Sequence, residues 1–237
     1  MVVTVHQPEH LPWLGFFDKA IRADLFVILD CVQFRKNYFQ NRNKIRTKDG
    51  WIWITLPIKK PLVVPICDVR IETDSRLRQK YLNLISTHYQ KSEFYDLYYS
   101  DIRDIILSCS DRLAEINLAL LNLSMDAMGI KTRMLCASEL DVEIGKGGTR
   151  VNLSICRSVG ATSYLSGISG KEYLDQEEFF KSGIELDFQE FYHPIYKQMH
   201  EPFLPCMSVL DLLSNYGPAS LDVLNGIGID RIPTLFE

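Results

Sequence analysis

The chain lacks several features that would have assigned it quickly. None of its 6 cysteines stands in a Cys-x-x-Cys pair, so zinc-cluster and dithiol readings lose their usual spacing. It has no excess of basic residues. Lys and Arg number 26 against 30 Asp and Glu, giving a net charge of −4 and a pI near 5.8. A broad nucleic-acid surface is therefore not expected. No apolar run approaches the roughly 20 residues of a bilayer span, and no basic region followed by an apolar stretch opens the chain. There is no Walker A spacing, no Asp-x-Asp pair and no serine nucleophile elbow. Internal repeats and low-complexity tracts are also missing. Cys31, Cys67, Cys109, Cys136, Cys156 and Cys206 are expected to be reduced thiols of a cytoplasmic protein.

What is present is core-forming material. The chain has 237 residues, 46% of them hydrophobic, enough to bury a sizeable core. Val2 to Val5 reads as a short buried strand, and a helix runs through Asp18 to Ala23. Leu25 to Leu29 is a continuous apolar run of strand length, as in parallel sheets covered on both faces. These pieces make a βαβ unit with an expected right-handed crossover. Trp51 to Pro57 is a strand, and Val63 to Ile71 a second extended piece. Apolar residues recur at three- and four-residue steps over 75–129, predicting helices. Lys131 to Cys136, Tyr164–Leu165 and Ile184 to Phe191 read as strands. Val151 to Val159, Lys171 to Lys181 and Ser208 to Asn215 read as helices. The expected fold is α/β: a parallel-type sheet with flanking helices, in one domain over 1–237 with a central helical insertion at about 75–129.

Polar residues gather where strands end. His6 and Gln7 follow the first strand, with His10 and Trp13 before the first helix. Ligands of α/β sheets sit at carboxyl ends of strands, beside helix N-termini. His6 is a candidate acid or base, and His193, which also follows a strand, is a second. Asp30 ends the second strand, where it could orient an imidazole or hold an amine. Phe34 to Arg46, with Asn41, Arg42, Asn43 and Lys44, reads as an anion-binding loop; a solvated basic hairpin is the plainer alternative. Gly145 to Arg150 is a glycine-rich loop before a helix. Ser166, Gly167 and Lys171 lie in a strand-to-helix turn that lets a ligand approach closely. Tyr196 and Gln198 follow His193, while Ser208 and Asp211 begin the last helix, where capping competes with ligand binding.

Taken together, these blocks resemble the WbqC-like family of bacterial proteins. The likeness rests on His6-Gln7-Pro8, Leu11 to Gly15, Asp30 to Phe34, Gln40 to Asn43 and Trp53 with Leu56-Pro57. Further on it rests on Gly160-Ala161, Tyr164 to Gly167, Tyr173-Leu174, His193-Pro194, Tyr196, Gln198, Phe203, Ser208 and Asp211 to Leu213. His10 stands where an aromatic is common in the family, and Cys31 where a second acidic residue is common. The resemblance implies a role in O-antigen or related surface-polysaccharide clusters, with acyl transfer to an amino sugar. A looser likeness links the strand, Gln-Pro, helix and second strand to the opening of pantothenate synthetase and other HIGH-type nucleotidylyl enzymes. It implies carboxylate activation as an acyl-adenylate.

The leading expectation is an acyl or aminoacyl transferase that forms an amide on a nucleotide-linked amino sugar. Its donor is ATP with a free acid or an otherwise activated acyl group, and no residue is assigned as a metal ligand. His6 or His193 would take the proton of the attacking amine, Asp30 would orient the amine or the imidazole, and Asn41, Arg42 and Lys171 would hold phosphates. Cys31 as a covalent acyl carrier is a sharper variant. The rival expectation is a non-catalytic sugar-nucleotide-binding module of a biosynthetic complex.

Overall fold

The structure, a computed structural model, describes all residues except 61–62, 109, 146 and 235–237. Its centre is a five-stranded sheet. The strands are β1 (Val2–His6), β2 (Leu25–Ile28), β5 (Arg133–Cys136), β6 (Ser163–Ser166) and β7 (Glu185–Phe188), in the order β5-β2-β1-β6-β7. Every neighbouring pair is parallel. Numbered within the sheet, this order is 3-2-1-4-5. It reverses between β1 and β6, the point at which doubly wound sheets open a crevice. The expected α/β class and the parallel sheet are both present.

The sheet divides two apolar cores. Val3, Val5, Leu25 and Val27 point into one, with Val151, Ile155 and Phe179. Phe26 and Ile28 point into the other, with Leu14, Phe16, Ile85, Ile106 and Leu120. The two-residue alternation of β2 places its side chains in both, so an all-apolar strand is what this position requires. The helices α5 (Gly148–Ser158) and α6 (Gln176–Lys181) contribute to the first core. The larger core takes side chains from α1 (Leu14–Arg22), α2 (Ser75–Tyr89), α3 (Tyr95–Leu107), α4 (Leu113–Ala127), α7 (Val209–Tyr216) and α8 (Ser220–Asn225). The helical stretch expected over 75–129 is α2 to α4, which follows β4 (Gly50–Thr55) and precedes β5 in the chain.

Several local expectations change. The segment 34–47 is not all loop: β3 (Arg42–Thr47) pairs antiparallel with β4, closing at the Lys48-Asp49-Gly50 turn. Val63 to Ile71 is not a strand, because Ile66–Asp68 forms a 3₁₀ turn flanked by isolated bridges. The helix expected at Lys171 is a 3₁₀ turn over Ile168–Glu172, and α6 starts later, where Asp175 accepts from the backbone N–H groups of Glu177 and Glu178. Helix α8 and the hairpin of β8 (Tyr192–Pro194) with β9 (Arg231–Pro233) had no clear sequence signal. Cys31, Cys67, Cys136, Cys156 and Cys206 are free thiols. Cys109 and Lys146 lie outside the described residues. Among the described residues no helix is long and apolar enough to cross a membrane.

Buried polar residues lock the elements together. His10 is fully buried, with Nδ1 2.8 Å from the Asn117 Oδ1 and Nε2 2.8 Å from the Tyr81 hydroxyl. Asn117 also donates to the carbonyls of Pro8 and Gln40. This knot ties the chain leaving β1 to α2 and α4. Burial lowers the His10 pKa to about 4, so the ring is neutral at pH 7. Its Nδ1–H donates to Asn117 and its Nε2 accepts from Tyr81. Replacing His10 by Ala leaves both partners unpaired. We expect a loss of about 2 kcal/mol in chemical denaturation, and an unchanged midpoint would refute this assignment.

Candidate functional site

β1 ends at His6 and β6 at Ser166, on either side of the switch point. Two cavities open there. One, of about 440 Å³, is lined by residues that include His6, Glu9, Trp13, Lys19, Tyr38, Lys44 and Gln189. The other, of about 610 Å³, is lined by residues that include His6, Gln7, Lys19, Arg35, Asn152, Ser166 and Tyr173, with Gly145, Gly147 and Gly148. They share His6, Lys19, Tyr38, Gly167 and Ser169, so they form one cleft in two compartments. A larger groove along α5 and α6 has no buried charged residue in its lining. The strand-end cleft is the one with buried titratable groups.

Local sequence shapes the walls. Gly15 lies against the Trp13 ring, and a Cβ there would come within 2.2 Å of it. A Cβ on Gly170 would lie 2.0 Å from the Ser166 Oγ, so this turn folds tightly only with glycine. The α1 face that buries Leu14, Phe16, Phe17 and Ala20 also buries Lys19.

Three ionisable groups meet in the cleft. The Lys19 Nζ is 3.4 Å from the Val5 carbonyl, and the residue is 3% exposed. Burial pulls its pKa down to about 8, against the pull of Glu9. Glu9 is pushed up to about 7 by burial, with Lys19 opposing. Its Oε1 lies 3.8 Å from the His6 Nδ1, and its Oε2 is buried without a hydrogen-bond partner. His6 is held down at about 3 by burial and by the Lys19 charge, and is therefore neutral at pH 7. Its Nδ1 is 3.1 Å from the Gln7 carbonyl. A carbonyl can only accept, so Nδ1 carries the proton and Nε2 keeps the lone pair. The side chain is 28% exposed.

The structure brings together some of the expected site residues. His6, Gln7, Trp13, Ser166 and Gly167 line the cleft. Others lie elsewhere. Asp30 accepts from the N–H and hydroxyl of Ser138, at 2.9 and 2.6 Å, instead of turning to His6. Phe34 is in the large core. Asn41 donates to the Leu56 carbonyl, and Arg42 stacks over Trp53 at 4.1 Å while donating to the Asn37 carbonyl. Lys171 is exposed over the Phe188 ring.

His193 has both ring nitrogens occupied. It donates from Nδ1 to the Pro194 carbonyl at 2.8 Å and accepts at Nε2 from the Cys206 N–H at 3.1 Å. Burial keeps its pKa near 4. Asp211 accepts from Tyr89, Tyr196 and Gln198, and Ser208 caps α7 by accepting from the Leu210 N–H. Burial raises Asp211 to about 6. His193, Tyr196, Gln198, Ser208 and Asp211 brace the β8–α7 region. Burial pushes the Cys31 thiol up to about 11, with Asp30 adding to the shift, which disfavours the thiolate that an acyl carrier needs.

Glu9, Lys19, Tyr38 and Gln189 were missed as site residues. A lone lysine on the apolar face of α1, at helical spacing from Gly15 and Phe16, was the available signal for Lys19. Glu9 sits inside the segment that drew attention to His6 and Gln7.

The raised pKa of Glu9 has a thermodynamic sign. Between about 4.5 and 7 the folded state binds more protons at Glu9 than the unfolded chain does. This group's contribution is therefore present below about 4.5 and is lost as pH rises through about 7. Glu9→Gln removes that loss. We expect its melting temperature to exceed wild type at pH 8 by a wider margin than at pH 5. An equal margin at both pH values would contradict a buried, uncompensated carboxylate.

Comparison with known proteins supplies the lineage. No solved structure matches the chain. It is similar to a Mycobacterium tuberculosis protein (strain ATCC 25618 / H37Rv), the uncharacterized protein Rv1507c. The two are 30% identical over 234 residues, covering 94% of this chain and 96% of that one. The model of the WbqC-like protein family matches residues 7–223, which takes in Gln7, Glu9, Lys19 and the cleft lining that follows them, while His6 lies just before the matched segment. The chain belongs to the WbqC-like protein family.

Proposed function

We propose that this protein is a transferase that passes an acyl or aminoacyl group to the amine of a nucleotide-linked amino sugar. It would work as one α/β domain in the cytoplasm, in O-antigen or related surface-polysaccharide biosynthesis. The observation that carries this reading is the His6 ring at the sheet's switch point, with its Nδ1 proton committed to the Gln7 carbonyl and its Nε2 lone pair left over.

The chemistry needs a proton acceptor and room for two partners. In the attack, a bond forms between the amine nitrogen and the acyl carbon. The bond to the leaving group breaks, and its electron pair departs with that group. His6 Nε2 takes the proton from the amine nitrogen and returns it to the leaving group. An ionised Glu9 beside the Nδ1 side of the ring would stabilise the imidazolium as it forms. The larger compartment, with Arg35, Gln7 and the glycine-rich turn, suits the phosphates of a nucleotide. The smaller, aromatic compartment suits a sugar ring. Lys19 lines both, and its cation can meet phosphate from either side. The acyl donor is either ATP with a free acid or a preactivated acyl group.

The test combines binding and turnover. A thermal-shift panel with ATP, coenzyme A, UDP, GDP, dTDP and amino-sugar nucleotides identifies what the native state binds. Mass spectrometry of the stabilising amino-sugar nucleotide, incubated with acyl donors, detects the amide. We expect His6→Ala to lower turnover by about 10²- to 10⁴-fold while the nucleotide-sugar stabilisation persists. Stabilisation without any amide, and with His6→Ala matching wild type in pathway output, would replace this reading with the binding-module one.

A further inference from the structure

We propose that Glu9 is the ammonium receptor of the cleft, holding the protonated amine of a sugar phosphate in the aromatic-walled compartment before that amine reacts. The proposal rests on the amide-forming reading and adds to it the charge state and docking point of the acceptor, whose ammonium releases its extra proton to solvent before the neutral amine attacks.

Three observations converge on Glu9. It is 4% exposed yet lines the smaller cavity. Its Oε2 is buried with no hydrogen-bond partner. Its ion-pair neighbour within 4.0 Å is the neutral His6, and no lysine or arginine among the described residues comes that close. A buried carboxylate oxygen without a donor is costly unless a donor arrives. The cavity that Glu9 lines is walled by Trp13, Phe16, Tyr38 and Phe39. Aromatic faces attract a cation once it leaves water. An ammonium is a compact donor that fits this demand, and an uncharged hydroxyl answers it only in part.

Lys19 decides what else the ligand carries. Its cation also lies on this cavity, and it is coupled to Glu9 electrostatically. A bare cation would be repelled by it. A molecule with an ammonium for Glu9 and a phosphate for Lys19 satisfies both buried groups at once. Glucosamine 1-phosphate is the smallest simple probe of that kind.

The experiment compares glucosamine 1-phosphate, glucose 1-phosphate and N-acetylglucosamine 1-phosphate by calorimetric titration at pH 7 on the full chain. The wild type should bind the amine at least about tenfold more tightly than either other ligand, the margin of one charge-assisted hydrogen bond. Glu9→Gln should erase the preference, and Glu9→Asp should keep part of it. A melting scan of each variant confirms folding. Equal binding of the three sugars by wild type, no binding of any of them, or an unchanged preference in Glu9→Gln would overturn the proposal. The amide assay separates the two readings. Amide formation without an amine preference removes Glu9's role and leaves the transferase. An amine preference without amide removes the transferase and leaves the receptor.

Discussion

Lys19 is the charge around which the cleft is organised. Helix α1 packs its apolar face under the sheet and carries this ammonium with it, leaving one backbone carbonyl in reach. Taking an ammonium out of water is expensive unless something compensates it. No carboxylate closes on it within ion-pair distance among the described residues, so compensation comes through space. Glu9 is pulled toward ionisation and His6 away from protonation. The imidazole is neutral because it is buried, and the lysine charge adds to that effect. A site built this way is unsatisfied when empty, and it favours a ligand that brings charge of its own.

The scaffold around the cleft is held by buried polar residues. His10 joins the strand exit to α2 and α4, His193 holds the wall that includes Cys206, and Asp211 gathers two tyrosines and a glutamine. Arg46 is buried and donates to the carbonyls of Thr47, Gly50, His200 and Pro202. Such groups hold loops in place because leaving any of them unpaired is costly. They keep Glu9, His6 and Lys19 in register without touching the cavity.

The sheet was legible because its strands are short apolar runs separated by helical periodicity. Val2 to Val5 and Leu25 to Leu29 read directly, as did α2 to α4. The His6–Gln7 and Ser166–Gly167 ends read as site material for the same reason: a polar residue closing a buried strand. That rule could not separate cavity from scaffold. His193, Asp211 and Asn41 have the right chemistry, but their polar atoms are consumed by long-range partners that only the fold reveals. Lys19 failed in the opposite direction, since a lysine on a helix normally extends to solvent. Its burial depends on β1, β2 and the Gly167 turn closing over it. The 34–47 segment read as an anion-binding loop with a basic hairpin as the alternative, and its Arg42–Thr47 part forms the hairpin with Gly50–Thr55. There Arg42 and Lys44 lie over tryptophan rings instead of a phosphate.

The central claim is that burial, with Lys19 and Glu9 coupled through space, sets the charge state of the cleft. The most direct measurement is a pH titration of Lys19 by NMR, using reductively ¹³C-dimethylated protein and Lys19→Arg to assign its resonance. The account requires a titration near pH 8, moving lower still in Glu9→Gln, where the supporting negative charge is gone. A midpoint near 10.5, the ordinary value for lysine, with no response to Glu9→Gln, would contradict it.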